Sequence, residues 1–425
     1  MLPSDNRRVN WGVGENSTDG VELLIDGLRP YAPEEERSEG EKGTERHPDA
    51  FFANRRDSRN KLTETGVLDS ECNRRTSRGS EAGLDSAIRA AAPAGEPDDP
   101  FRPSGGRRAC AWLAGLLLIV PSVVAGCRVA DTDAVTPVPQ LLAFLPWLLA
   151  PAGAALLLAL LARWRTGVVW AVAVLAVTGW YVRPYDTGLT DAPPGPVVAR
   201  IEVLTSNVEF GNATKGSKGL LATIRREQPD LVFVQECDPG CASALAAEVS
   251  RTDYPYRNVV EGYAAAGSAI LSTFPLRPAP GISGTLAMPG SVAVVGDRTV
   301  NLQLVHPLPP IPRGVDDWKR ELGRVRTYAA GVKGQPTLLA GDFNATQDHA
   351  AFRRILDAGD LRDSATLVGA ARTPSWPAAV RRPLGAQIDH VLISEDFSVR
   401  RARFLDLAGT DHRSLLVDLE LHDVR

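Results

Sequence analysis

Hydrophobic and polar positions divide the chain into three stretches that follow different rules. Residues 1 to about 105 carry no sustained apolar period, and runs such as "EEERSEGEKGTERHPD" and "ANRRDSRNK" are polar throughout. Such a stretch cannot bury enough apolar surface to offset its chain entropy. It is expected to be a disordered tail, or to lie upstream of the true translation start. From Ala109 the pattern reverses. "ACAWLAGLLLIVPSVVAGC" runs 19 residues without a charge between Arg108 and Arg128. Ala134 to Ala162 is also uncharged, as is Thr166 to Val182 between Arg165 and Arg183. A spanning helix needs about 20 apolar residues, with about 17 as the lower limit. The pattern therefore predicts three transmembrane helices, about 109–127, 141–162 and 166–182. Buried core helices are the other reading of such runs.

The third stretch, 199–425, alternates short apolar runs with helical periods. "IEVLTSNV", "LVFVQE", "GSAILST", "VNLQLVH", "QPTLLAGD", "QIDHVLIS" and "SLLVDLEL" read as strands bounded by turn residues. "GLLATIRREQPD" and "DHAAFRRILDAGD" place apolar residues at helical spacing between them. Strands this continuously apolar are buried on both faces, which predicts a layered α/β sandwich.

Charge adds an orientation. Arg102, Arg107 and Arg108 precede the first apolar run and Arg163 and Arg165 separate the second from the third, whereas "RVADTDAVTPVPQ" has one Arg and two Asp. The Lys/Arg bias puts the tail inside the cell and everything after Val182 outside, in a multi-pass protein of the cell membrane. "VAGC" at 124–127 also has the form of a lipoprotein processing box, which would put the C-terminal part on the same side. Of the five cysteines, Cys237 and Cys241 lie four apart. Outside the cytoplasm such a pair can form a disulfide, and zinc partners are not evident.

The candidate chemistry sits where the strands end. Asn207 closes "LTSN", Glu236 closes "LVFVQE" and His306 closes "NLQLVH"; Asp342 and Asn344 follow "TLLAG"; Asp389 and His390 lie in "QIDH", and Asp411 and His412 in "GTDHRS". Ligand sites of layered α/β folds collect at strand ends. Singly each has a plain structural reading, for example an Asx-turn at Asp342 and Asn344. Taken in order, Asn207, "QE" at 235–236, His306, "GDFNAT", "IDHVLIS" and "TDH" resemble the endonuclease/exonuclease/phosphatase superfamily of metal-dependent phosphoesterases over nearly all of 199–425.

That resemblance implies a four-layered αββα sandwich hydrolysing phosphate esters with Mg²⁺ or Mn²⁺, hard cations suited to oxygen ligands. It implies Glu236 as a metal ligand, with Asp411 and Asn207 completing the shell. Asp342 would orient or deprotonate the attacking water and Asn344 would hold that water or a phosphate oxygen. His412, oriented by Asp389, would donate to the phosphate, and His306 matches a second acid/base or phosphate-binding histidine. His390 reads as structural, and His349 as a solvated helix-start residue. Residues 200–425 hold 26 Lys/Arg and 26 Asp/Glu, so no basic face marks a dedicated duplex-DNA binder. The substrate is thus a phosphate ester of open class: nucleic acid, phospholipid or a small phosphodiester. The membrane lipid is the second expected partner, and no protein partner is deducible. A binding or signalling module that keeps the fold without catalysis is the alternative, against which the intact acidic and histidine set argues.

Overall fold

Strands apolar on both faces need cover on both, and the computed structural model supplies it. It describes residues 105–185, 195–209 and 216–423. The polar tail expected over 1–105 lies outside them up to residue 104. Twelve strands are described: β1 (Val197–Asn207), β2 (Leu231–Gln235), β3 (Tyr256–Val260), β4 (Ser268–Ser272), β5 (Leu276–Ile282), β6 (Met288–Val295), β7 (Arg298–Val305), β8 (Thr337–Asp342), β9 (Arg362–Asp363), β10 (Asp389–Ile393), β11 (Phe397–Asp406) and β12 (Arg413–His422). They form two six-stranded sheets, ordered β11-β12-β1-β2-β4-β3 and β5-β6-β7-β8-β10-β9.

The inner faces share one core, in which Val203, Leu231, Phe233 and Ile270 meet Leu302, Leu304, Leu338 and Val391. Alternate residues point outward. On the first sheet Leu204, Val232 and Val234 pack under Leu220, Leu221 and Leu245, from the helices Gly216–Glu227 and Pro239–Glu248. On the second, Val305, Leu339 and Leu392 pack under Trp318, Leu322 and Phe352, from Val315–Gly331 and Ala350–Gly359. The expected α/β architecture with two sheets and outer helices is therefore present. Cys237 and Cys241 are joined in a disulfide at the start of helix Pro239–Glu248.

The N-terminal apolar region departs from expectation. Among the described residues one helix, Gly105–Val129, is long and apolar enough to cross a membrane, where three were expected. The uncharged run 134–162 is split into a helix Val138–Leu142, a 3₁₀ turn Leu145–Leu148 and a helix Leu149–Leu161. Pro137, Pro139 and Pro146 are the reason, since each lacks a backbone N–H and favours helix starts over interiors. Helix Arg165–Tyr181 has 17 residues, or about 25 Å at 1.5 Å each, against a hydrocarbon core of about 30 Å. These helices pack on one another through small residues: Ala114, Ala152, Ala155, Ala159 and Ala171 are buried together.

Candidate active site

Strand register brings the site together. Asn207 pairs with Gln235 across β1 and β2, which sets Glu236 beside it, and Asp342 faces Asp389 across β8 and β10. Gly341 precedes Asp342 with φ 155°, and a Cβ there would lie 1.9 Å from the Val305 carbonyl oxygen. Only glycine lets β8 approach β7 so closely as the chain enters the loop. Asn344 (φ 47°) and Glu236 (φ 57°) occupy left-handed backbone conformations. Asparagine tolerates that region, whereas for glutamate it is uncommon and belongs with the strained backbone found at functional sites.

Seven of the eight predicted side chains form one connected network, which Asn344 joins through its backbone N–H. Asn207 Nδ2 donates to Glu236 Oε1 (2.9 Å) and to Asp342 Oδ2 (3.2 Å). His306 Nε2 stands 3.6 Å from Glu236 Oε1. Asp342 Oδ1 accepts the Asn344 backbone N–H at 2.8 Å. His412 Nδ1 donates to Asp389 Oδ2 at 2.9 Å, while its Nε2 lies 3.7 Å from both Asp342 Oδ2 and Asp411 Oδ1. Asp342, Asp389, His306 and His412 are buried, and the Asp411 side chain is 44% exposed, which marks the open side of the cleft.

Burial sets much of the electrostatics. It pushes the Asp342 carboxyl up to about 7, with the His412 cation pulling the other way. For His412, burial opposes the charge, but Asp389 and Asp342 outweigh it and hold the ring well above its ordinary 6.5. Burial lowers His306, against the Glu236 carboxylate. One fixed cation thus stands among buried carboxylates, with its free nitrogen turned toward the open side.

Three details go beyond or against the sequence reading. The Asn207 oxygen, expected in a metal shell, accepts the Glu209 backbone N–H at 3.0 Å, so its amide nitrogen faces the carboxylates. Asn344 Nδ2 donates to the Pro307 carbonyl at 3.0 Å. His349 does start a helix but is fully buried, with Nε2 donating to the Pro139 carbonyl, and is not solvated. His390 is structural as expected: buried, it donates from Nε2 to the Ala345 carbonyl at 3.0 Å. Sequence reasoning missed the supports. Trp376 Nε1 donates to Asp411 Oδ2 (2.8 Å), and the Ser375 hydroxyl accepts the backbone N–H of Ile388 and of Asp389. The Thr410 hydroxyl donates to the Asn207 carbonyl and accepts the His412 N–H. Glu209 was also missed, and burial and Asp411 raise its carboxyl.

Residues 204–412 match the Endonuclease/Exonuclease/phosphatase family. The C-terminal domain belongs to this family. Among solved structures, humanized D. rerio TDP2 is 14% identical, with 52% of this chain and 98% of that one covered at a TM-score of 0.43. D. rerio TDP2 complexed with single strand DNA product is 13% identical, with coverages of 52% and 99% and a TM-score of 0.42. An endonuclease/exonuclease/phosphatase from Beutenbergia cavernae DSM 12333 is 20% identical, covered 53% and 72%, at a TM-score of 0.40. No curated protein matches the chain. Membership supports phosphoester hydrolysis in general.

The donor set suits a hard divalent cation, the kind of metal typical of the family. Glu236 and Asp411 offer hard carboxylate oxygens on the accessible side, the chemistry of Mg²⁺ or Mn²⁺. A tighter group also exists: ligand atoms of Asp342, Asp389 and His412 lie within 4.8 Å of one another. Its imidazole Nδ1 is already donated to Asp389, so this trio reads better as a hydrogen-bonded acid/base unit.

Proposed function

We propose that the protein is a membrane-anchored, divalent-metal-dependent phosphoesterase whose catalytic domain faces outside the cell. The observation that carries the chemistry is the Asp389–His412–Asp342 arrangement beside Glu236. Asp342 takes the proton of the attacking water, and a carboxyl near 7 suits that task at neutral pH. His412 donates its Nε2–H to a phosphoryl oxygen, its ring held in place and in charge by Asp389. Asn207 positions both Glu236 and Asp342 through its amide nitrogen. Glu236 and Asp411 would hold the cation, which supplies charge neutralisation at the phosphoryl group and the leaving oxygen.

Anchoring is supported by surface chemistry. Trp112, Leu116, Ile119, Val123, Leu157, Val169 and Trp180 expose large apolar side chains around the helical unit. A soluble surface rarely carries so many large exposed apolar side chains on one small helical unit. The orientation rests on one long helix. Arg107 and Arg108 sit at its start, and the loop after its end, through Asp131 and Asp133, contacts the catalytic domain. Positive charge inside then leaves the catalytic domain outside. The Cys237–Cys241 disulfide fits that compartment.

The test uses the purified full chain in detergent with plasmid DNA, RNA, phospholipids and a generic phosphodiester. EDTA should abolish turnover and Mg²⁺ or Mn²⁺ restore it. Glu236→Ala should chiefly raise the metal concentration needed for half-maximal rate. Full turnover in metal-stripped protein would refute the mechanism, and an unchanged metal requirement would remove Glu236 as a ligand.

A further inference from the structure

The bonded cysteines lie against the proposed metal site. Cys237 directly follows Glu236, and its disulfide to Cys241 spans four residues. A bridge this short closes a small loop and restrains the unfolded chain least, so global stability gives it little purpose. Its surroundings give it a local one. Glu236 holds a left-handed backbone (φ 57°), a conformation that persists only where the structure around it enforces it. Ahead of Glu236 the ladder does so, since Gln235 pairs with Asn207 on β1 and with Ser268 on β4. Behind it β2 has ended, and the constraint passes to Cys237.

The Cys237 N–H donates to the Gly267 carbonyl at 2.9 Å, and its sulfur is bonded to the first turn of helix Pro239–Glu248. That helix is fixed at its far end. Leu245 is buried against the sheet, and Arg257 donates to the carbonyls of Leu245 and Val249. Within the helix the only buried residues are Cys241 and Leu245, so the bridge is the buried tie at the end next to Glu236. Asp238 also caps this turn by accepting the Cys241 N–H at 2.8 Å. Water can replace that bond, and it cannot replace the covalent one. Glu236 is thus clamped between the strand ladder and an anchored helix. A different backbone angle there would redirect its carboxylate, which now meets Asn207 Nδ2 at 2.9 Å.

We infer that Cys237 and Cys241 are a positioning pair for Glu236, whose closed bridge holds the carboxylate where a divalent cation binds. With the bridge open, the cation binds about tenfold more weakly. Tenfold is about 1.4 kcal/mol, within the cost of holding one residue in such a backbone region. The site is then complete only in a compartment where disulfides persist. The inference rests on Glu236 being a metal ligand, as proposed above.

Mn²⁺ binding to the full chain in detergent, followed by electron paramagnetic resonance, reads the site without turnover. Cys237→Ala, Cys241→Ala and the double variant should each weaken binding by the same factor of about ten, because each opens one bridge. Lost packing would instead give unequal losses that add in the double variant. A second measurement uses the wild type and needs no cysteine variant to fold. With its other cysteines blocked by iodoacetamide, it is equilibrated in buffers of reduced and oxidised dithiothreitol, and the reduced fraction is read by mass after alkylation. Two electrons and two protons pass to the bridge: one thiolate displaces a cysteine sulfur, the second closes the reagent's own ring, and both cysteines leave as thiols. Coupling is reciprocal, so saturating Mg²⁺ should move half-reduction about tenfold toward reduced dithiothreitol, and Glu236→Ala should remove that shift. Unchanged Mn²⁺ affinity in the cysteine variants, additive losses, or no shift with Mg²⁺ would overturn the inference. Loss of the native circular dichroism on reduction would also overturn it, by making the bridge a tie of the whole fold. Glu236→Ala separates the two claims. If it binds Mn²⁺ as wild type does, Glu236 is no ligand and the metal reading fails; if it binds weakly while the cysteine variants bind normally, this inference alone fails.

Discussion

His412 is the residue on which the site turns, because both of its ring nitrogens are directed. Nδ1 is held by Asp389, and Nε2 faces the carboxylates of Asp342 and Asp411. Asp342→Asn and His412→Ala should each cut turnover by at least about 10²-fold while the protein stays folded. The double variant should lose far less than the product of the two, since groups acting as a unit are not additive. Steady-state kinetics on the four proteins checks this, and full multiplicativity would separate the two residues. The charge state is separately measurable. Opposite charges raise the folded-state value of His412, so its contribution to stability is complete below about 6.5 and is lost as pH rises through that raised value. In metal-free protein, the His412 ring followed by NMR should titrate above 6.5, and Asp389→Asn should bring it down. A wild-type ring titrating at or below 6.5 would contradict the assigned pairing. The eight predicted site residues were legible because each lies at a strand end or within two residues of one, where an apolar run meets polar letters. Trp376, Ser375 and Glu209 lie in loops that have no period, so nothing in the sequence marked them.

At the scale of elements, the helix Ala350–Gly359 shows how the two parts of the protein are joined. Its N-cap residue, His349, gives no side-chain cap. The cap comes from outside the domain: Asp133 accepts the backbone N–H of Ala350 (2.6 Å) and of Ala351 (2.9 Å). A carboxylate there also meets the positive end of the helix dipole. Asp133→Ala should therefore cost about 1 kcal/mol, as for lost caps generally, and lower the melting temperature. Asp133→Asn should restore most of it, because asparagine caps comparably. If alanine and asparagine variants melt together at the wild-type temperature, the cap contributes nothing. Elements were readable from sequence in proportion to how deeply they are buried. Interior strands such as β2, β4 and β8 are buried along their length and read as unbroken apolar runs. β3, β5 and β11 are sheet edges with exposed positions and carry Arg257, Arg277, Arg400 and Arg401, so no such run announced them. β6 is interior, but Pro289 and Gly290 interrupt its pattern.

At the scale of the molecule, the helical unit and the catalytic domain are tied by charge as well as by the Asp133 cap. Asp131 bonds Arg353 and Arg354, and Lys319 and Gln140 reach backbone carbonyls across the same junction. Asp348, fully buried, takes both arms of Arg372, whose other contacts are the carbonyls that end helix Arg165–Tyr181. Ties of this density hold the domain close to the end of the long helix, so the proposed anchoring would put the substrate on the side of the membrane reached by Val129. Counting uncharged residues overstated the spans because prolines divide the second run and the third is short. The proposed orientation does not depend on the number of spans, since it is argued only from Arg107 and Arg108 at the start of Gly105–Val129 and the contacts after its end. Protease added to intact cells should therefore remove the catalytic domain and spare an epitope tag placed ahead of residue 105. A tag at the C-terminus should be lost at the same rate as activity. Protection of the C-terminal tag, with loss of the N-terminal one, would reverse the orientation and move the substrate into the cytoplasm. Protection of both until the cells are lysed would place the whole chain inside and undo the anchoring argument with it.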